Sequence, residues 1–202
     1  MYLYGASGHC KVIIDIIKSS TNKTIEAVFD DAVKENTILG IKIVDFKKND
    51  NYKIDELIIS VGKNSTRKKM VEKLHANFVS VIHQTAIVSK FVTIDVGTVV
   101  MPGVIINAST KVGKHCIINS GAIIGHGCKL NDFVHISPSA SLAGNVTIGE
   151  GSHIGIGAIV IQGISIGKWA SIGAGTVIIN DVPDGAVVVV NPGKIIKINT
   201  FL

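Results

Sequence analysis

Every sixth residue from Val88 to Ile178 is aliphatic, sixteen positions in a row with no insertion. The series runs Val88, Ile94, Val100, Ile106, Val112, Ile118 and onward without a break through Ile166, Ile172 and Ile178. An α-helix cannot use that spacing, because six is not a multiple of 3.6 and each repeated side chain would drift around its surface. Short extended segments joined by turns can. Two positions before many of the aliphatics lies a small residue, as at Ala86, Thr98, Cys116, Ala122, Cys128, Ala140, Ser152, Ala158, Ala170 and Thr176. One position after, Gly recurs at 113, 125, 149, 155, 167 and 173, with Asn at 107, 119 and 131. A six-residue period of this kind is the signature of a parallel β-helix. The aliphatic should point inward, its small partner should fit the tight corner, and the Gly or Asn should accept the unusual backbone angles. Cys116 and Cys128 fall on the small inward positions, so packing, not catalysis or metal binding, is their expected role.

The first eighty residues have a different texture. Residues 2–5 read as a short strand, and GHCKVIIDIIKSS follows with Val12, Ile13, Ile16 and Ile17 at helical spacing. IEAVFDD is a second strand ending in acids. After a polar stretch, ELIISVG is a third strand, and STRKKMVEKLHAN carries the cap and periodicity of another helix. That order predicts a Rossmann-like α/β domain with a small parallel sheet over residues 1–80. The β-helix and a C-terminal tail then occupy 81–202.

Composition narrows the function classes. Of 202 residues, 47% are hydrophobic and 17% charged, enough for a substantial core and too apolar for general disorder. Aromatics are only 5%, so the core must be aliphatic. No apolar run approaches the length needed to span a bilayer, and the start lacks the features of a signal peptide. Three cysteines without CxxC spacing argue against a disulfide framework or a structural zinc site. A soluble cytoplasmic protein without a metal is the expectation. Net charge is +5, but the positive charges are dispersed and the densest cluster, Arg67-Lys68-Lys69, is short. A nucleic-acid binder would concentrate them on one face; a small anionic ligand fits the mild excess at least as well.

The repeat resembles that of the hexapeptide-repeat acyltransferases. The resemblance implies a left-handed β-helix with eighteen residues per coil, here about five coils, in which His135 and His153 would lie one above the other. Taking both halves together tightens it. YLYGASGHCKVIID, FDD, SVGKNSTRKK, VMPGVIINA and IIGHGCKLNDFVHISPSASLAGNVTIGEGSHIG resemble one subfamily of sugar acyltransferases over nearly the whole chain. It includes sialic-acid O-acetyltransferases and bacillosamine-pathway N-acetyltransferases of nucleotide-linked amino sugars. The resemblance implies direct acetyl transfer from acetyl-CoA in a homotrimer, to the 4-amine of a nucleotide-linked 4-amino-4,6-dideoxy sugar. Sialic acid or another sugar hydroxyl is the alternative acceptor.

Acetyl transfer from a thioester needs a base for the attacking atom's proton and donors for the oxyanion. From the residues alone, His126 reads as an exposed turn histidine. The resemblance makes it the base, places His135 and the Gly144 N–H at the acetyl-CoA thioester, and places Ile156 and Ala174 along the cofactor. It likewise assigns Ser7, Gly8, His9, Asp30, Asp31, Gly62 and Ser65 to the nucleotide-sugar. From spacing alone, GASGH is a Gly-rich strand-to-helix turn whose N–H groups suit phosphate. It is not the GxGxxG dinucleotide fingerprint. One departure stands out: family members usually follow the base with an acid, and this chain has Gly127. Another carboxylate, Asp132 or one from a neighbouring subunit, would then orient the ring, or the base is weaker. A γ-type carbonic anhydrase shares the β-helix but requires a histidine pair five apart, which the spacings here do not supply. A regular non-enzymatic β-helix would show like residues in outward arrays, and the outward positions here are irregular.

Overall fold

Each aliphatic of the six-residue register is the second residue of a two-residue strand. In the computed structural model, which describes residues 1–46 and 54–200, sixteen such strands run from Ile87–Val88 to Val177–Ile178. Ladder partners lie eighteen positions apart, Ile105 pairing with Ile87 on one side and Ile123 on the other. Three strands and three corners therefore make one coil of a left-handed parallel β-helix with three flat faces. The first face begins at Val81–Ile82 and carries Val99–Val100, Ile117–Ile118, His135–Ile136, His153–Ile154 and Ser171–Ile172. Ala186–Val189 and the antiparallel Lys194–Ile198 extend it. The second face runs from Ile87–Val88 to Val177–Ile178, and the third from Thr93–Ile94 to Ser165–Ile166.

The repeated aliphatics from Val100 to Ile178 are all buried in one continuous column. Each contributes about 1.5–3 kcal/mol relative to an exposed side chain. The small partners are buried too, and several do more than fit. Thr98, Thr110 and Ser152 donate their hydroxyls to the carbonyls of Gly113, Gly125 and Gly167, fifteen residues on. Each also accepts an N–H from the coil above, so an inward hydroxyl is fully satisfied. The thiols of Cys116 and Cys128 occupy the equivalent place, facing the Asn131 and Ala143 carbonyls. Burial pushes the Cys116 thiol up to about 12 and raises that of Cys128, which makes both inert packing groups.

One expectation is corrected here. The left-handed backbone angles do not fall on the residue after the aliphatic but on the third residue after it. All fourteen such positions from 97 to 175 have positive φ, including Ser109, His115, Phe133, Ser139, Asn145 and Trp169. The glycines directly after the aliphatics have a different cause. A Cβ on Gly125 would come within 2.5 Å of the Ala143 carbonyl carbon, and one on Gly149 within 2.5 Å of that of Gly167. The neighbouring coil passes too close for any side chain.

The N-terminal domain comprises β1 (Tyr2–Tyr4), α1 (Gly8–Ser20), β2 (Ala27–Asp30), β3 (Thr37–Ile38), β4 (Ile41–Asp45), β5 (Leu57–Ile59) and α2 (Asn64–Lys73). The polar stretch after β2 thus holds two strands that the expected three-strand sheet lacked. Sheet order is β3-β4-β2-β1-β5, and β3 pairs antiparallel with β4, so the sheet is mixed at that edge and parallel elsewhere. Helix α1 buries Cys10, Ile13, Ile14, Ile16 and Ile17 against the sheet and against Val81, Val99 and Ile117 of the first β-helix face. Helix α2 covers the other side of the sheet through Met70, Val71 and Leu74.

Arg67 on α2 fastens the two parts. It is 1% exposed. Its guanidinium donates to the carbonyls of Val61, Gly62, His115 and Phe133 and to Asn64 Oδ1, at 2.8–3.0 Å. All five N–H groups are satisfied by neutral oxygens. Asn64 Nδ2 donates to the Gly151 and Ser152 carbonyls, and Lys68 pairs with Glu150. Beneath α2 lies a corner column of Gly97, His115, Phe133, Gly151 and Trp169, one residue per coil. His115 stacks on Phe133 at 5.3 Å, and a Cβ on Gly97 or Gly151 would strike the ring of the next coil.

Candidate active site

His126 sits at the corner between the second and third faces, in the turn after Ile123–Ile124, and is exposed. Its ring lies over Gly144 one coil on, where a Cβ would come within 2.5 Å of Nε2. A side chain there would force the imidazole to move. Asn145 N–H donates to the His126 carbonyl at 2.8 Å. Among the described residues the Gly144 N–H has no acceptor, a property it shares with the same corner position of other coils, Ala108 and Gln162. An exposed imidazole and the Gly144 backbone therefore stand side by side at this corner.

The departure at Gly127 has a structural counterpart. Gly127 has φ of 66°, and a side chain there would meet Asn145 Oδ1. Asp132, suggested as the substitute carboxylate, does not reach His126 within its own chain. It lies at the corner joining the third face to the first and accepts the Lys114 N–H at 2.8 Å.

His135 is on the first face, away from the His126 corner. It pairs in register with His153, and the two rings stack at 4.8 Å with an interplanar angle of 21°. Asn119 Nδ2 approaches its Nε2 at 3.3 Å, and the Gly62 backbone beside it favours the protonated ring slightly. Burial, then repulsion from His153 and Arg67, pushes its pKa down to about 3. The ring is therefore neutral at any working pH. Together with His153, Gly62, Lys63, Asn64, Ser65, Trp169 and Asn199 it lines a cleft of about 710 Å³. Ile156 and Ala174 lie at a third place, the corner between the first and second faces, stacked one coil apart and both exposed.

The nucleotide-sugar candidates also divide. Ser7, Gly8 and Asp30 line a cavity of about 400 Å³ with Lys11 and Lys34. Asp30 is held there by the N–H groups of Ala6 and Ala32, at 2.7 and 2.8 Å. Asp31 points elsewhere, accepting the Tyr4 hydroxyl at 2.8 Å in a separate cavity with Lys69 and Lys73. Gly62 and Ser65 belong to the His135 cleft. His9, in the first turn of α1, is turned inward. Its Nε2 is buried without a partner among the described residues, and burial followed by Arg67 lowers its pKa to about 4. Sequence reasoning missed Lys11, Asn119, Trp169 and the role of Arg67. Trp169 could have been found by following the eighteen-residue spacing through His115 and Phe133; a buried arginine has no such signal.

Among the described residues no group of three or more His, Cys, Asp or Glu is placed to hold a metal, and no helix is long and apolar enough to cross a membrane.

Comparisons bear on this arrangement. Residues 1–74 match the family model described as the PglD N-terminal domain. UDP-N-acetylbacillosamine N-acetyltransferase of Bacillus subtilis (strain 168) is 40% identical over 111 residues, 49% of this chain and 50% of that one, so the matched stretch spans half of that relative. PerB from Caulobacter crescentus, in complex with CoA and GDP-perosamine, superposes with a TM-score of 0.88 at 34% identity, covering 96% of this chain and 95% of that one. The acetyltransferase domain of PglB from Neisseria gonorrhoeae, in complex with acetyl coenzyme A, gives 0.89 at 33%, covering 96% and 98%. With nearly the full length of both structures matched, and with the β-helix and N-terminal sheet already in hand, the chain belongs to the hexapeptide-repeat sugar acyltransferase family.

Proposed function

We propose that this protein transfers the acetyl group of acetyl-CoA to the 4-amine of a nucleotide-linked 4-amino-4,6-dideoxy sugar, with His126 as general base. The observation that carries this reading is the His126 imidazole lying over Gly144, whose N–H has no acceptor among the described residues, in a chain matched over 96% of its length by PerB in complex with CoA and GDP-perosamine. The amine nitrogen attacks the thioester carbonyl carbon and His126 takes its proton. The Gly144 N–H stabilises the oxyanion. Collapse of the intermediate breaks the C–S bond, and the CoA thiolate leaves to be protonated. Ser7, Gly8, His9, Asp30, Asp31, Gly62 and Ser65 hold the nucleotide-sugar; His135, Ile156 and Ala174 hold the acyl donor.

These groups occupy different faces of one chain, so we read the working unit as a homotrimer in which a neighbour supplies the missing corner. The second face supports this. Its outward column is Ile87, Ile105, Ile123, Ser141, Ile159 and Val177, of which Ile87 is 67% exposed. The third face presents Thr93, Lys111, Lys129, Thr147 and Ser165 instead, and the N-terminal domain packs on the first at Val81, Val99 and Ile117. A long apolar stripe running the length of one face suits a partner subunit. We read the compartment as the cytoplasm, where three free thiols stay reduced.

The test is a thiol-release assay with acetyl-CoA against UDP-, dTDP- and GDP-linked amino sugars and free sialic acid. Turnover with one amino sugar, lost in His126→Ala and His126→Asn while the assembly persists on gel filtration, is the expected result. Near-wild-type turnover in either variant rejects the base; turnover with sialic acid alone rejects the amine acceptor.

A further inference from the structure

The cleft beside α2 contains an imidazole with no role in the chemistry above. His153 is exposed and lies face to face with His135. Its Nε2 is 2.7 Å from Ser137 Oγ. Ser137 is only 6% exposed, and among the described residues its hydroxyl has no other partner. A buried hydroxyl must spend its proton on an acceptor, and the one at hand is Nε2. With Ser137 donating, the neutral His153 ring carries its proton on Nδ1. That N–H has no partner among the described residues.

His135 cannot offer the same thing. Its Nε2 faces the amide nitrogen of Asn119, whose oxygen is already taken by the Ser120 N–H at 2.8 Å. Asn119 therefore donates and Nε2 accepts. The remaining His135 nitrogen lies on the side of the Gly62 backbone. Its Nε2 is used inside the protein, and its ring serves as a wall. The groups facing the pair are cationic or neutral, Arg67 and His9 on one side and Ser137 and Asn119 on the other, with no carboxylate among them.

We propose that His153 donates its Nδ1–H to a carbonyl oxygen on the pantetheine arm of the acyl donor, and that Ser137 sets the tautomer that makes this donor available. The inference rests on the acetyl-CoA reading. The arm is a chain of methylenes interrupted by amides, which suits a cleft with an imidazole stack and Trp169 in its wall and the polar side chains of Ser65, Ser171 and Asn199 spaced around them. A diphosphate would meet Lys63 alone here, whereas the Ser7 cavity offers Lys11 and Lys34 beside the start of α1.

The experiment is calorimetric titration of acetyl-CoA, and in parallel of 3′,5′-ADP, which lacks the arm. His153→Phe keeps the stacked ring and removes the donor. It should weaken acetyl-CoA roughly five- to tenfold, the worth of one neutral hydrogen bond, and leave 3′,5′-ADP unchanged. His153→Asn puts an amide nitrogen where Nδ1 stood and should bind acetyl-CoA within about twofold of wild type. Long-range proton–nitrogen NMR of the ligand-free protein should find the His153 proton on Nδ1, and Ser137→Ala should lose that preference. Unchanged acetyl-CoA affinity in His153→Phe, equal weakening of both ligands, or a proton on Nε2 overturns the proposal while leaving the transferase reading intact. A wild-type protein that binds no acetyl-CoA overturns both.

Discussion

Arg67→Lys tests how the N-terminal domain is held to the β-helix. The guanidinium fills five acceptors, and the His115 and Phe133 carbonyls receive no other hydrogen bond among the described residues. A lysine has three donors on one nitrogen and cannot span acceptors on Val61, Gly62, Asn64, His115 and Phe133. At least two would go unpaired while remaining buried, at about 1–3 kcal/mol each. The expected loss is about 2–6 kcal/mol. With a urea dependence near 2–3 kcal/mol per molar, that moves the midpoint down by about 1–2 M. The chain's single tryptophan is well placed to report it. Trp169 lies under α2 with Lys68 Nζ 5.6 Å from its ring, so its fluorescence should change as α2 lifts away. Measurements belong at one fixed protein concentration, since subunit association would add to apparent stability. A shift below about 0.3 M would refute the reasoning. An Arg67→Met variant more stable than wild type would refute it differently, by showing that removing the desolvated charge outweighs the lost hydrogen bonds.

Stability should fall as pH drops from about 6.5 to about 4. Burial and then Arg67 hold the His115 pKa down to about 4, so in that window the unfolded chain binds a proton that the folded chain refuses, at about 1.4 kcal/mol per pH unit. His115→Asn, which suits the φ of 53° there, should flatten part of that slope in denaturation series at pH 7, 6 and 5; an unchanged slope would assign it to other groups. Gly125→Ala should cost several kcal/mol or prevent folding, because its Cβ meets the Ala143 backbone, whereas Gly163→Asn should cost under about 1 kcal/mol, its φ of 74° suiting Asn and nothing lying within 4 Å. Equal thermal midpoints for the two variants would contradict the close-approach explanation. Gly144→Ala should displace the His126 ring and cut turnover at least tenfold with little loss of stability; full activity would mean the ring's position over Gly144 is immaterial.

The β-helix was legible because its physics is one-dimensional. An inward aliphatic every six residues is both the sequence pattern and the core, so Val100 and Ile172 could be assigned without knowing any distant contact. The glycines were harder. Gly113 and Gly125 were read as turn formers, yet their constraint is the next coil's backbone, which sequence spacing does not reveal. In the N-terminal domain, Ile41 and Ile43 flank Lys42, but the strand they form was hidden within a polar stretch.

Site legibility followed the same division. That His126 and Gly144 are one coil apart follows from an eighteen-residue difference, and so does the His135–His153 stack. No local rule could say that Asp30 and Asp31 face separate cavities, that Asp132 is spent on the Lys114 N–H, or that Arg67 is buried against five oxygens. Periodicity, with the eighteen-residue coil that the family resemblance implied, determined the prism, its register and which residues line up along it, because each coil contacts only its neighbours. Only the tertiary structure decided where α1 and α2 dock, and with them which face is closed, which imidazole nitrogens are already bonded and which one is left to meet a ligand. Those outcomes depend on contacts between segments fifty or more residues apart, such as Arg67 with Phe133 and Asn64 with Gly151.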